Sequence, residues 1–323
     1  MIAGAATRVK YLDGWRGLAI FIVLIGHFSP LDPELGNFGV ELFFVLSGRL
    51  MAQILFEKKM ALPMFFQRRF ARVYPALVVL VIGLALLSFA AAMFGKDRGI
   101  DVLSAVAALT FTFNYLPALG YPTSGTLEHI WSLAVEEHCY ALLALLAVLT
   151  SRQWKWVMPI CFGLAVLAMA NGLRLYFQGA GRIHEIYWRT DVRLAPVFLS
   201  AAIYLWKPTR GSIISALLSL PLFFVLPLWL KFIVPTILLA YSVNAIDHAP
   251  PRVLSALSHP LIVGLGLISY SLYLWQQLFY KMAAGNPLGV LPALITAWIS
   301  YRFVEVPARR AINSFQFAKL RYS

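Results

Sequence analysis

The sequence predicts an all-α protein, a polytopic transmembrane helix bundle of about ten spans with both termini in the cytoplasm. Of its 323 residues, 60% are hydrophobic and only 13% are charged, and the mean hydropathy of +0.76 does not fit a soluble enzyme. The apolar residues fall into blocks of about 20, the length that crosses a bilayer core as a helix. The 27 Lys and Arg exceed the 14 Asp and Glu. In a membrane protein this excess is typical of basic cytoplasmic loops, so we expect no nucleic-acid partner.

Ten apolar segments account for the predicted spans, and each is bounded by polar or charged residues. They are residues 13–29, 38–56, 73–94, 131–149, 156–175, 194–206, 212–230, 232–247, 261–281 and 287–304. We expect one transmembrane domain over residues 1–310, followed by a basic cytoplasmic tail over 311–323.

An eleventh apolar block, residues 102–118, is short and contains polar residues, so hydropathy does not decide whether it crosses. With the N-terminus in the cytoplasm and this block not crossing, 18 Lys and Arg lie inside, 8 lie outside and Arg49 lies within a span. Full crossing would move the basic C-terminal residues outside, against the positive-inside bias. The charge count therefore predicts a non-crossing or re-entrant segment at 102–118.

The two cysteines, Cys139 and Cys161, both lie inside apolar stretches. Such positions favour two small buried side chains over a disulfide framework or a metal cluster. We therefore expect no metal.

The first span contains two ionisable residues, Arg16 and His27. Eleven residues correspond to three turns and about 20°, so both lie on one helix face, roughly 16 Å apart along the axis. Ionisable groups are costly within the hydrocarbon and are candidates for function. The alternative is an interfacial arginine and a core histidine bonded to a neighbouring carbonyl.

In the second span, Glu41, Ser47 and Arg49 are the polar candidates. Arg49 is also consistent with an ion pair that holds the bundle together, and Ser47-Gly48 with close helix packing.

Arg69 and Arg72, at the entry of the third span, share a helix face at spacing i, i+3. Guanidinium groups bind phosphate bidentately, so this pair suits a phosphorylated ligand.

Glu136 and Glu137 lie about one and a half turns into the fourth span and point about 100° apart. In the ninth span, Trp275 and Gln276 are expected in the outer half, and Tyr273 and Trp275 equally fit a membrane-interface belt of aromatic residues. These acids, Glu41 and Gln276 are expected at the depth of His27, with the arginines of the first and third spans at the cytoplasmic mouth. A neutral histidine beside a carboxylate can act as general base, and the arginines would hold the phosphates of a long donor.

Six blocks of the sequence together resemble the acyltransferase 3 family of integral-membrane O-acyltransferases, in the same order and over almost the whole chain. They are LDGWRG at 12–17 with GH at 26–27, GVELFFVLSG at 39–48, RRFARVYP at 68–75, WSLAVEE at 131–137, ISYSLYLW at 268–275 and FVEVPARR at 303–310.

The resemblance implies a multi-pass protein of the bacterial inner membrane that transfers an acyl group, commonly acetyl from acetyl-CoA, to a hydroxyl of a carbohydrate, glycolipid or small molecule. It implies His27 as the catalytic general base or acyl relay, with Glu136 and Glu137 orienting it or the acceptor. It further implies that Arg16, Arg69 and Arg72 contact the acyl-CoA donor. The oligomeric state is not predicted.

Three positions depart from the family pattern. Arg49 stands where Phe is usual, and it is expected either to alter the donor channel or to pair with Glu41 or another acid. Gln276 replaces a common His, which argues against a second catalytic imidazole in the ninth span. Glu41 replaces the more usual Asp.

A different class of function, a transporter or flippase of an acyl donor or glycolipid, also accommodates intramembrane charges. No inverted repeat supports it.

The outer loop from Arg174 to Arg193 is equally consistent with a glycan-binding loop and with an ordinary solvated loop. Its charged and aromatic residues are Arg174, Arg182, His184, Glu185, Tyr187, Trp188, Arg189, Asp191 and Arg193.

Overall fold

The structure, a computed structural model of the chain, describes residues 9–95, 100–123, 125–179, 183–210 and 213–319. Every regular element within these ranges is helical, which confirms the predicted all-α class. The α-helices in chain order are α1 (Lys10–Phe28), α2 (Glu34–Ala52), α3 (Leu62–Met93), α4 (Val102–Leu109), α5 (Ile130–Leu149), α6 (Val157–Phe177), α7 (Ile183–Tyr187), α8 (Thr190–Arg193), α9 (Ala195–Trp206), α10 (Ile213–Val225), α11 (Leu228–Lys231), α12 (Val234–Asn244), α13 (Pro251–Leu257), α14 (Pro260–Met282), α15 (Val290–Ser300) and α16 (Val306–Lys319). The predicted domain boundary at residue 310 lies inside α16.

Seven helical segments within the described residues are long and apolar enough to cross a membrane. They are Lys10–Phe28, Glu34–Glu57, Leu62–Met93, Ile130–Leu149, Trp154–Phe177, Pro260–Met282 and Pro287–Ser314, and they coincide with seven of the ten predicted spans. Two of them include a π-helical turn, Gln53–Glu57 after α2 and Tyr301–Glu305 between α15 and α16.

The other three predicted spans form shorter helices. Residues 194–206 form α9, residues 212–230 are divided between α10 and α11, and residues 232–247 contain α12. Proline contributes to this division, because Pro227 precedes α11 and Pro235 lies in the first turn of α12, where its missing N–H removes no intrahelical hydrogen bond. The count of ten crossings and the cytoplasmic location of both termini stay predictions.

Residues 102–118 do not form one helix. The eight residues of α4 rise only about 12 Å and are followed by 3₁₀ turns at Phe113–Tyr115 and Pro117–Leu119. A helix of this length is too short to cross a hydrocarbon core of about 30 Å, which agrees with the charge count. Re-entry of this segment into the membrane stays a prediction.

Three helices, α1, α2 and α14, form the centre of the bundle, with α1 packed against both of the others. Glycines allow these contacts: a Cβ at Gly17 would lie 1.9 Å from the carbonyl oxygen of Ile262, and one at Gly266 would lie 1.9 Å from that of Asp13. We call the end of the bundle at which α1 and α14 begin the inner end, following the charge count, and the opposite end the outer end.

Close packing also joins α2 to α9 at Gly48, where a Cβ would lie 2.1 Å from the carbonyl oxygen of Val197. We expect Gly48→Ala to lower the free energy of unfolding by about 1–3 kcal/mol, because the added methyl group must separate the two helices. Thermal unfolding in detergent measures this loss.

A matched control is Gly163→Ala on α6, where an added Cβ meets nothing within 4 Å. This variant should gain about 0.5–1 kcal/mol from the higher helix propensity of alanine. Equal behaviour of the two variants would contradict close packing at Gly48.

Candidate active site

Two cavities lie one above the other along the bundle axis. The inner vestibule, about 1090 Å³, is lined by residues near the inner end that include Lys58 and Arg309. A second cavity of about 640 Å³, the central cleft, lies between α1, α2, α3, α5 and α14. Arg16 and Arg72 line both cavities, so these two predicted site residues lie where the vestibule meets the cleft.

Arg69, Glu136 and Glu137 form one partly buried charge cluster beside the cleft. Nε of Arg69 donates to Oε1 of Glu137 at 2.6 Å, and Nη2 donates to Oε2 of Glu136 at 3.0 Å. Glu136 also accepts hydrogen bonds from Ser47 and from the hydroxyl of Tyr140. The guanidinium of Arg69 further lies 4.2 Å from the centre of the Tyr140 ring. These contacts join α2, α3 and α5 around the cleft.

The sequence predicts, from the expected depths in the membrane, that Glu136 and Glu137 lie with His27 and that Arg69 lies apart from them, at the cytoplasmic mouth. The structure instead pairs Arg69 directly with both acids, and neither acid contacts His27 among the described residues. The reason is that α3 begins at Leu62 and not at residue 73. Arg69 therefore lies about two turns inside the helix, deep enough to reach α5.

His27 is held by residues of α14 near the outer end. Its Nδ1 lies 2.6 Å from Oε1 of Gln276, and its ring stacks on Tyr280 with centroids 4.6 Å apart. On the α2 side, a Cβ at Gly36 would lie 3.3 Å from Nε2 of His27. With the amide oxygen of Gln276 assigned to face the ring, Nδ1 carries the proton and Nε2 has a free lone pair. Gln276 thus has the orienting position that the sequence suggested for an acid.

The outer end of the cleft is formed by Phe43, Ser132 and Tyr273, and His27 is not among the residues described as lining it. The hydroxyls of Ser132 and Tyr273 lie 2.6 Å apart, and the Tyr273 hydroxyl donates to the backbone carbonyl of His129 at 2.8 Å. The Tyr273 and Phe43 rings meet edge to face, with centroids 6.3 Å apart. Tyr273 therefore belongs to the cleft, one helical turn before Gln276.

The side chain of Trp275 points away from the central cleft, towards α3. Its ring lies near Gly83 of α3, where a Cβ would be 3.2 Å from the ring edge. This contact places the indole in the α3–α14 interface.

Glu41 and Arg49 form separate ion pairs, of which that of Glu41 is buried and that of Arg49 is half-exposed at its acid. Arg193 donates to one carboxylate oxygen of Glu41, and Thr236 donates to the other. Arg49 donates to Asp247 at 2.6 Å and to the carbonyl oxygen of Val243 at 2.6 Å, near the C-terminus of α12. The prediction that Arg49 pairs with an acid is confirmed, with Asp247 as the acid.

The outer-loop prediction is wrong for two of its residues. Arg193 is 2% exposed and Tyr187 is 5% exposed, so neither belongs to a solvated loop. The guanidinium of Arg193 lies 4.4 Å from the centre of the Tyr187 ring. Short helices α7 and α8 turn these side chains inward. Arg182 and the side chain of His184 lie outside the described residues.

Sequence reasoning missed His129, which comes directly before α5 and is buried near Tyr273. The lone histidine in a turn between α4 and α5 carried no helical spacing that would have linked it to His27. Its position follows from side-chain contacts between Tyr273 of α14 and the start of α5.

Comparison with known proteins identifies the family of the chain. The sequence profile of the acyltransferase 3 family, described as an acyltransferase domain, matches residues 9–300. Peptidoglycan O-acetyltransferase OatA of Listeria monocytogenes is 26% identical over 359 aligned positions, covering 95% of this chain and 57% of that protein. O-acetyltransferase OatA of Staphylococcus aureus is 25% identical, covering 95% and 58%.

A further Staphylococcus aureus protein, SACOL0978, whose name proposes an O-acetyltransferase, is 27% identical and covers 93% of this chain and 57% of its own length. The chain thus spans a little over half the length of these curated relatives. No solved structure gives a significant match. Because the family profile covers most of the residues, including the central cleft and His27, the chain belongs to the acyltransferase 3 family.

Proposed function

We propose that this protein is an O-acyltransferase of the bacterial inner membrane. It transfers an acyl group, commonly acetyl, from cytoplasmic acyl-CoA to a hydroxyl of an envelope carbohydrate or glycolipid. The single observation that best supports the proposal is the pair of cavities that share Arg16 and Arg72. Together they extend from the inner end to Tyr273, one helical turn before the partner of His27.

The donor fits this path by charge and by length. Phosphate groups in the vestibule would meet Arg16, Arg72, Lys58 and Arg309. The cleft beyond is narrower and partly aromatic, which suits the uncharged arm of the donor. Arg16 and His27 are separated by about 16 Å along α1, so phosphates near Arg16 leave the acyl end close to the imidazole.

Arg72 has the better position of the two predicted arginines on α3. Arg69 is neutralised by two carboxylates, whereas Arg72 makes no ion pair or hydrogen bond with any residue that the structure describes. A guanidinium without a direct ion-pair partner beside a large polar vestibule is suited to bind phosphate. Arg69 instead stabilises the wall of the cleft.

His27 supplies the proton transfer. In direct transfer, the acceptor oxygen bonds to the acyl carbonyl carbon and Nε2 of His27 takes the hydroxyl proton. The C–S bond then breaks, and the CoA thiolate takes the proton from the imidazole. In the relay form, Nε2 of His27 bonds to the acyl carbon and the C–S bond breaks, which releases the CoA thiolate. The acceptor oxygen then bonds to the acyl carbon, the C–Nε2 bond breaks, and the hydroxyl proton passes through the freed Nε2 to the thiolate. Gln276 fixes the tautomer that both routes require.

We expect Arg72→Ala to raise the KM for acetyl-CoA by about tenfold or more, with a smaller change in kcat, because one charge-assisted phosphate contact contributes about 1.5–3 kcal/mol. Steady-state transfer assays over a range of acetyl-CoA concentrations measure this change. Arg68→Ala is the matched control, since Arg68 is exposed on the same helix. An unchanged KM in Arg72→Ala would remove Arg72 from the donor site.

The acceptor is proposed from the relatives, one of which is named for peptidoglycan. Purified protein, acetyl-CoA labelled in the acetyl group and isolated peptidoglycan fragments or other envelope glycans test the proposal directly. Label bound covalently to a glycan hydroxyl supports the transferase. Movement of intact donor or glycolipid across a vesicle membrane without transfer would support the transporter instead.

A further inference from the structure

His129 is a buried imidazole that the mechanism above does not use. It lies directly before α5 and is 5% exposed, and neither of its ring nitrogens has a hydrogen-bond partner among the described residues. A buried polar group without a partner costs about 1–3 kcal/mol. Such groups are rare in native proteins, and catalytic sites are one place where they occur.

The backbone of His129 is hydrogen-bonded, although its ring nitrogens are not, among the described residues. Its carbonyl oxygen accepts hydrogen bonds from the hydroxyl of Tyr273 at 2.8 Å and from that of Ser132 at 3.2 Å. Its ring packs edge to face against Tyr273, with centroids 5.3 Å apart. Ser132 and Tyr273 line the outer end of the cleft, so His129 is anchored where the acyl end of the donor would arrive.

His129 is also an electrostatic neighbour of His27. Burial and the charge of His27 lower the pKa of the His129 imidazole to about 3, while the nearby backbone carbonyl of Leu274, which forms no well-aligned hydrogen bond with the ring, raises it by less. At neutral pH the ring is therefore uncharged and carries one N–H donor. A group with so low a pKa is a poor general base near pH 7, but a neutral imidazole can polarise a carbonyl.

A second buried donor without a partner belongs to Gln276. While Oε1 of its amide faces His27, Nε2 has no hydrogen-bond partner among the described residues. Gln276 lies one helical turn after Tyr273, the residue on which the His129 ring packs. Two donors without a partner, one directly before α5 and one on α14, are thus close to the candidate catalytic imidazole: Gln276 contacts His27, and His129 interacts with it electrostatically.

We propose that the N–H of neutral His129 and the side-chain amide of Gln276 stabilise the oxyanion formed during acyl transfer at His27. This inference rests on the proposed function. When the acceptor oxygen bonds to the acyl carbon, the π electron pair of the carbonyl moves to its oxygen, and these donors bind that charge. When the C–S bond breaks, the pair re-forms the carbonyl and the thiolate leaves with the proton held by His27. Donors fixed before the reaction contribute most where charge develops.

Three substitutions test the role of His129. His129→Phe keeps a ring of similar size without a donor, and it should lower kcat by about 10²–10³-fold, the loss seen when one oxyanion donor is removed. The KM for acetyl-CoA should stay within about twofold. His129→Asn restores an N–H donor and should recover part of the lost kcat.

His138→Phe is the matched control on α5, because His138 bonds Thr190 and does not line the central cleft as described. It should keep the wild-type kcat. All variants are compared for thermal unfolding in the same detergent.

The inference is overturned if His129→Phe keeps the wild-type kcat, or if His129→Asn loses as much activity as His129→Phe. A loss of kcat matched by an equal fall in folded protein would also overturn it, because the role would then be structural. These outcomes require a wild-type protein that transfers the acetyl group. If the wild type forms no acetylated glycan, the proposed function itself fails.

Discussion

His27→Ala is expected to lower the rate of acetyl transfer by about 10²–10⁴-fold, the usual contribution of a general base, while the protein stays folded and inserted in the membrane. The reason is that Nε2 of His27 is the free ring nitrogen once Gln276 holds Nδ1. Covalent incorporation of labelled acetyl into a glycan acceptor measures the rate, and size-exclusion chromatography in detergent measures folding.

A suitable control is His259→Ala, because His259 is an exposed histidine at the inner end. It should transfer acetyl at the wild-type rate. A His27→Ala protein with normal turnover would refute the assignment of His27 as the catalytic residue.

The same variant separates direct transfer from the acyl relay. In the relay, the wild-type protein mixed with labelled acetyl-CoA and no acceptor should carry label on His27, and His27→Ala should not. In direct transfer, neither protein should be labelled. Mass spectrometry of the quenched, digested protein distinguishes the two routes.

The largest expected effect on stability comes from the buried pair of Glu41 and Arg193, whose side chains are 0% and 2% exposed. Glu41→Leu should lower the free energy of unfolding by about 3–5 kcal/mol, because it leaves the guanidinium buried without its counter-charge. Unfolding in a denaturing detergent or by heat measures the loss.

Two comparisons make this prediction specific. Replacing both residues, Glu41→Leu with Arg193→Met, should cost less than Glu41→Leu alone, since no buried charge is left unpaired. Asp191→Asn breaks the partly exposed pair with Arg189 and should cost less than about 1 kcal/mol. A single substitution at Glu41 as mild as Asp191→Asn would contradict the importance of the buried pair.

Much of the site depends on local spacing and was therefore readable from the sequence. Arg16 and His27 share one helix face because helical periodicity relates residues within a helix. Arg16 and Arg72 both line the boundary between the two cavities, at the end where the sequence expected donor contacts. Arg69 was assigned the same role, but its contacts with Glu136 and Glu137 cross between helices. No spacing within one helix predicts such a pair.

The lengths of most helices could also be predicted from local sequence. The seven long helical segments coincide with seven apolar blocks, because burial in a bilayer requires a continuous apolar stretch. The region from 194 to 247 contains equally apolar residues but forms four shorter helices. Hydropathy does not show where one helix ends and the next begins. Proline and the packing of α9 against α2 and α6 determine these ends.

By itself, the sequence determined the helical class, most of the long apolar segments and the candidate catalytic histidine, because composition and periodicity act locally along the chain. Only the tertiary structure decided which charged and polar side chains pair with each other. It paired Glu41 with Arg193, Arg49 with Asp247 and His27 with Gln276, and it placed His129 near His27. Buried charges and polar groups must find partners in three dimensions, and those partners lie up to 249 residues apart in the chain.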